Sequence, residues 1–178
     1  MELWHGSQKI IEAPQLGLGK IHNDYGQGFY CTESLDLAKE WACSGDADGF
    51  ANRYELKMDD LMVLDLQSPQ FSVLHWIALL VEHRSFRKDT AVAVGACEYL
   101  HNHFLPDAET YDLIRGWRAD DSYFSYARAF VNNTITVEQL SRAMKLGNLG
   151  EQIVLKSECA FKSICFTGFE RAPLGLYG

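Results

Sequence analysis

Residues 24–34 read DYGQGFYCTES, a polar turn that becomes apolar within three positions. Gly26 and Gly28 relieve the steric limits on the backbone, and Phe29-Tyr30-Cys31-Thr32 then has the composition of a strand start. Two readings are open here: a tight turn entering a strand, or a loop that holds backbone against a ligand. Ser34 closes the stretch where a helix N-cap would stand, with Leu35, Ala38, Trp41 and Ala42 recurring at helical spacing behind it.

Working outward, Glu2 to Gly6 is a short apolar start that reads as a first strand, and Ile10 to Ala13 as another extended piece ended by Pro14. Residues 15–28 read as a loop broken by Gly17, Gly19, Gly26 and Gly28. Tyr54 to Met58 alternates like a strand, and Leu61 to Leu66 reads as a buried one. Helical character follows over Phe71–His83 and Ala91–Phe104, before Pro106. Tyr111–Trp117 is a strand candidate. RADDSYFSYARAFVNN then offers Asp120 or Asp121 as the cap of a helix with a stripe at Tyr123, Tyr126/Ala127 and Phe130. Thr136 and Gln139 have capping-box spacing for a helix running to Gly147. Glu151–Lys156 and Ser163–Phe169 read as two closing strands. Strands at both ends and helices between them argue for α+β rather than regular βαβ alternation.

The bulk properties narrow the function classes. A chain of 178 residues implies one domain, here 1–178, that buries roughly two thirds of its unfolded surface. With 47% hydrophobic and 22% charged residues, wholesale disorder is excluded. A formal charge of -8 argues against a broad grip on phosphate backbones, though not against a small basic pocket for one nucleotide. Five cysteines with no CxxC pair fit free thiols in a reducing compartment. The start MELWHGSQK lacks a signal-peptide pattern, and the best apolar run, Val73–Val81, is interrupted by His75. The expectation is a cytoplasmic protein with no membrane association.

Three short pieces carry candidate chemistry, and each has a bland reading. LWHGS puts His5 at the end of the first strand, where a lone histidine is more often structural. GQGFY puts Tyr30 beyond a glycine loop, where a core tyrosine is the simpler account. GEQIVLKS puts Glu151 and Gln152 at the front of a late strand, where an exposed strand end would suffice. No Walker loop, GxGxxG or GxSxG is present. His101 and His103 diverge on a helix, and His75 and His83 read as rim residues, so no metal is expected.

Taken in order, Trp4-His5-Gly6-Ser7, Gly26-Gln27-Gly28-Phe29-Tyr30 and Glu151-Gln152-Ile153-Val154 resemble the three motifs of the ADP-ribosyltransferase superfamily. The branch is the His-Tyr-Glu one, which includes poly(ADP-ribose) polymerases and diphtheria toxin. More narrowly, the chain resembles an uncharacterised bacterial family of stand-alone domains sharing DYGxGFYCT, RADDSYF and GEQIVLKS. The narrow resemblance spans nearly all of the chain; the superfamily motifs cover about twenty residues. It implies a split antiparallel β-sandwich around an NAD cleft, with helices inserted at about residues 70–147. It implies NAD as substrate, transfer of one ADP-ribose to an unknown acceptor, and a toxin-like role countered by a small helical antitoxin-like protein. NAD glycohydrolysis and non-catalytic NAD binding are the alternatives.

The resemblance also distributes roles. His5 would bond the adenosine-side ribose, Gly6 would offer its backbone to the nicotinamide amide, Ser7 would assist at a ribose, and Gly28 would shape the loop. Tyr30 would supply one aromatic face for the pyridinium ring, and Trp41, eleven positions further on, the other. Stacking and cation–π attraction are worth on the order of 1 kcal/mol per desolvated face. An ungapped match puts Glu151 in the catalytic carboxylate position, but strand alternation sends Glu151 and Gln152 to opposite faces. Only one enters the cleft, with the weight on Gln152. A glutamate there would supply charge and a base; a glutamine would orient a hydroxyl only. Arg118 is either part of a strand-to-helix turn or a phosphate contact. Lys20, Asn23 and Asp24 would border the adenosine or the acceptor.

Overall fold

The computed structural model describes residues 1–44, 47–146 and 150–178. Its strands are β1 (Glu2–Ser7), β2 (Phe29–Cys31), β3 (Gly49–Leu56), β4 (Val63–Asp65), β5 (Leu113–Trp117), β6 (Glu151–Leu155) and β7 (Ile164–Ala172). Its helices are α1 (Leu35–Ala42), α2 (Val73–His83), α3 (Ala91–Phe104), α4 (Asp121–Val131), α5 (Val137–Leu146), α6 (Glu158–Ser163) and α7 (Leu174–Tyr177). The class is α+β.

Several boundaries follow from side chains that cap helix ends. The Ser34 hydroxyl accepts from Leu37 N at α1, and the Asp120 carboxylate accepts from Tyr123 N at α4. The side chain of Asp121, the other cap candidate, lies outside the described residues. Thr136 and Gln139 exchange reciprocal bonds at the start of α5, whose expected end at Gly147 also lies outside them. The six-residue α6 is too short to show a periodic pattern. It is announced instead by Ser157, whose hydroxyl accepts from Ala160 N.

The strands form two sheets, ordered β1-β3-β7 and β2-β6-β5-β4. An isolated bridge joins them, with Trp4 and Thr32 exchanging both backbone bonds at 2.8 and 2.9 Å. The sheets pack through Leu3 and Leu56 on one side and Leu113, Ile153 and Leu155 on the other. Next to the bridge, His5 and Gly6 of β1 and Phe29 and Tyr30 of β2 border a cleft.

Three expectations need correction. The second sheet is mixed, because β4 and β5 run parallel. A parallel pair requires a long crossover, which α2 and α3 supply. The stretch 70–147 is therefore not a purely helical insertion: it carries β5, which pairs β6 on one side and β4 on the other. Residues 10–13 form no strand; Ile11 is strapped down by Asn52 Oδ1, which accepts from its N–H, and by the Tyr54 hydroxyl, which donates to its carbonyl.

Helices cover the outer face of the mixed sheet. Trp76, Ile77, Leu79 and Leu80 of α2 are fully buried against Tyr25, Leu64, Ile114 and Val154. Each such side chain contributes roughly 1.5–3 kcal/mol of burial free energy. On the other side of the molecule α1 lies on β1 and β3, where Ala38 meets Trp4 and Ala51. Among the described residues no helix is long and apolar enough to cross a membrane. All five cysteines are free thiols.

Candidate functional site

The cleft holds a cavity of about 800 Å³. Ligand pockets fall at roughly 300–1,000 Å³. Its walls come from widely separated parts of the chain: the end of β1, the loop from Ile11 into β2, the helix α1, Arg84 just after α2, the turn after β5, and β6.

His5 and Tyr30 meet because the bridged strands run side by side. Nδ1 of His5 lies 2.7 Å from the Tyr30 carbonyl oxygen. A carbonyl only accepts, so Nδ1 carries the proton and Nε2 keeps its lone pair. The His5 ring stacks on Phe29 with centroids 4.4 Å apart. Burial lowers the imidazole pKa below the usual histidine range, opposed by the bond to Tyr30, so the neutral form is favoured.

Tyr30 is held at its hydroxyl, which donates to Gly26 O at 2.7 Å and accepts from Tyr25 N at 2.9 Å. Burial raises its pKa far above the ordinary phenol range. The bond needs the loop to turn at Gly26, which has φ +73° and would press a Cβ to 2.8 Å from the His83 ring. This is the geometry behind the DYGQG segment: the glycine brings a carbonyl back onto the Tyr30 hydroxyl and sets the ring at the cavity wall. Gly28 lines the cavity too, and a Cβ there would meet Val154 at 2.5 Å.

Gly6 is in the cavity wall, and close packing of α1 accounts for its missing side chain. A Cβ at Gly6 would come within 2.0 Å of the Ala38 carbonyl oxygen and 2.7 Å of Trp41 Cβ. The missing side chain admits helix α1, and α1 in turn brings Trp41 to the cavity. Arg118 lines the cavity beside it, 5.9 Å from the Trp41 ring centroid and 3.6 Å from Glu40. A cation therefore already lies near the Trp41 ring.

Position 152 separates the two candidates on β6. Gln152 enters the cavity and is 4% exposed. Its Nε2 donates to Asp24 Oδ2 at 2.8 Å and to Trp117 O at 3.3 Å. Glu151 points to the other face, where Arg115 Nε donates to it at 2.8 Å, and is not part of the cavity wall. Ser7 is also outside: its hydroxyl donates to Lys9 O and accepts from Lys9 N, closing a local turn. The cavity wall thus includes neither Glu151, the less favoured of the two β6 candidates, nor Ser7.

Two further contributors have parts that no motif announces. Asp24, expected only as a border residue, is a buried hub whose Oδ1 accepts from Arg84 at 2.6 Å and whose Oδ2 accepts from Ala119 N and Gln152 Nε2. Arg84 follows α2 immediately, and only the tertiary fold carries it to residue 24. Loop residues Ile11, Pro14 and Leu18 form an apolar lip, with Leu18 75% exposed.

Fold and site together define an α+β protein with a ligand-sized cleft beside the bridge that joins its two sheets. Residues 1–166 match the family described as "Protein of unknown function (DUF3990)", and the chain belongs to that family. No curated protein and no solved structure matches the chain.

Proposed function

We propose that this protein binds NAD in the cleft and breaks its nicotinamide–ribose bond, passing a single ADP-ribose to an acceptor nucleophile. The observation that carries the reading is convergence. His5, Tyr30, Trp41 and Gln152, four positions marked by resemblance to ADP-ribosyltransferases, surround one cavity although they come from opposite ends of the chain. The two bridged sheets packed through a shared core support an ADP-ribosyltransferase-like arrangement, with the helices added beside the cleft.

The chemistry follows from the groups available. Tyr30 and Trp41 offer aromatic surface to a flat cationic pyridinium. His5 Nε2 and the Gln152 carbonyl are acceptors for ribose hydroxyls, and Arg118 is a donor for a phosphate. The C1″–N bond breaks with its electron pair going to the nicotinamide nitrogen, which becomes neutral. The acceptor's oxygen or nitrogen then bonds to C1″ and gives up its proton to solvent water. Gln152 carries no charge, so the ribosyl cation is met by oriented dipoles. That favours one slow transfer over chain elongation.

Purified protein incubated with NAD should release nicotinamide, and Tyr30→Ala and His5→Ala should each lower the release at least tenfold. No release and no NAD binding by the parent would sink the reading. Label retained on a macromolecule distinguishes transfer from hydrolysis to free ADP-ribose. The glutamine in the cleft favours a second reading, NAD binding without turnover, for which calorimetry would record binding while nicotinamide stays attached. A small helical inhibitory partner belongs to the same proposal; its co-expression should restore growth to cells producing the active chain.

A further inference from the structure

The glutamine at position 152 has a structural cause that the NAD reading does not supply. Its amide nitrogen sits between two acceptors, Asp24 Oδ2 at 2.8 Å and Trp117 O at 3.3 Å. That carbonyl also receives the Tyr25 hydroxyl at 2.7 Å and Trp76 Nε1 at 3.1 Å. An amide oxygen turned inward would face the Asp24 carboxylate and the Trp117 carbonyl, neither of which can donate, so these two partners orient the amide. Both Nε2 protons are then used. Among the described residues nothing donates to Gln152 Oε1, and Ser68 Oγ is the sole fully buried side-chain polar atom without a partner. Oε1 is thus the atom open to the cavity.

We infer that Asp24 is a positioning residue for Gln152: its carboxylate locks the amide with both N–H groups inward and the carbonyl toward the ligand, and thereby excludes glutamate from position 152. The site accordingly takes a ligand that offers a hydroxyl donor to a neutral acceptor. As applied to a ribose hydroxyl of NAD, this rests on the function proposed above; the Asp24–Gln152 lock itself does not.

Asp24 is suited to the task because it cannot rotate away. Arg84 donates to Oδ1 at 2.6 Å and Ala119 N to Oδ2 at 2.9 Å, so both oxygens are held by partners other than Gln152. A glutamate at 152 would set a second carboxylate about 3 Å from the first, where both cannot stay ionised. The other titratable neighbours do not relieve this. Tyr25 and Tyr30 are kept protonated by burial, and Arg84 already serves Asp24. Across the cavity lie His5, Lys20, Arg118 and Asp120, with Arg118 placed over Trp41.

The test is Gln152→Glu, followed from pH 5 to pH 8 beside Gln152→Ala and Asp24→Asn. At pH 5 the introduced carboxyl, protonated, can donate its hydroxyl to Asp24 and leave a carbonyl facing the cavity, as the amide does. That carboxyl ionises at higher pH in the folded protein than in the unfolded chain, so the folded state holds more protons and stability falls as pH rises. The melting temperature of Q152E should match the parent within about 2 °C at pH 5 and lie about 5 °C or more below it at pH 8. Q152A should show a constant offset with no such pH trend. Equal melting of Q152E and parent at both pH values would overturn the lock, whatever the ligand. In nicotinamide release, Q152E should lose at least tenfold in kcat at pH 8 with less than a threefold change in KM, and recover toward pH 5. A Q152E variant more active than the parent at pH 8 would also overturn the inference. D24N tests the positioning from the other side. One amide oxygen cannot serve both Arg84 and Ala119, so kcat should drop with folding retained, as checked by circular dichroism; unchanged kcat counts against the role. If the parent neither releases nicotinamide nor binds NAD, the NAD reading fails while the melting comparison still decides the lock.

Discussion

The two faces of β6 hold the same chemical ingredients and do different things with them. On one face Glu151 meets Arg115, which also reaches Glu33 at 3.0 Å, and all three side chains are about one third to one half exposed. On the other, Asp24 meets Arg84 and Gln152, with the aspartate side chain only 5% exposed. Water screens the first group, and such exposed pairs are worth roughly 0–1 kcal/mol. The second is shielded, so every donor and acceptor in it must be matched. Carboxylate–arginine contact therefore marks no site by itself; burial beside a ligand-sized cavity does.

Asp24→Ala is the hardest blow to that contrast. It leaves Arg84, Ala119 N and Gln152 without their acceptor and should cost about 3–5 kcal/mol in urea unfolding. A loss below about 1 kcal/mol would make the inner face no different from the outer. Tyr30→Phe comes next. It removes the hydroxyl that joins Gly26 O and Tyr25 N and should cost about 1–3 kcal/mol, with a weaker grip on NAD because the loop loses its anchor.

Acidification probes the inner side without a substitution. Burial lowers the pKa of His5 in the folded protein, and burial with nearby Lys156 does the same to His83. The unfolded chain then binds more protons below about pH 6.5, so stability is full above that value and declines as pH falls toward 5. Asp112, held low by the Ser157 hydroxyl and the Met62 amide, acts in the same direction but only near and below about pH 4. The denaturation midpoint should drop between pH 7 and pH 5, and less so in His5→Gln; an identical drop in both would remove His5 from the account. Glu151→Gln carries the smallest effect. It should change stability by less than about 1 kcal/mol and leave NAD affinity unaltered by titration calorimetry. A large loss of binding would return Glu151 to the site.

Much of the fold is legible in local chemistry. Ser34, Asp120 and Thr136 stand at the helix starts they announce, because capping depends on residues three positions apart. The start of β3 at Gly49, seven residues beyond α1, gives no such signal: Gly-Phe-Ala-Asn-Arg has little alternation, and only pairing with β1 and β7 makes it a strand. The direction of β4 was equally hidden, since three residues cannot declare whether their partner runs parallel.

For the site, the resemblance to ADP-ribosyltransferase motifs brought forward His5, Gly6, Gly28, Tyr30 and Trp41, with Arg118 as an open alternative, and all six line the cavity. It could not choose between Glu151 and Gln152. Ile153, Val154 and Leu155 are all buried, since one face of β6 packs on the opposing sheet and the other on the helices, so the alternation carries no polar side to read. Local sequence specified where several helices begin, because capping needs only near neighbours. The face of β6 that meets Asp24, the arrival of Arg84 and the closeness of α1 to Gly6 were decided by tertiary structure, because each depends on burial and contacts between segments far apart in the chain.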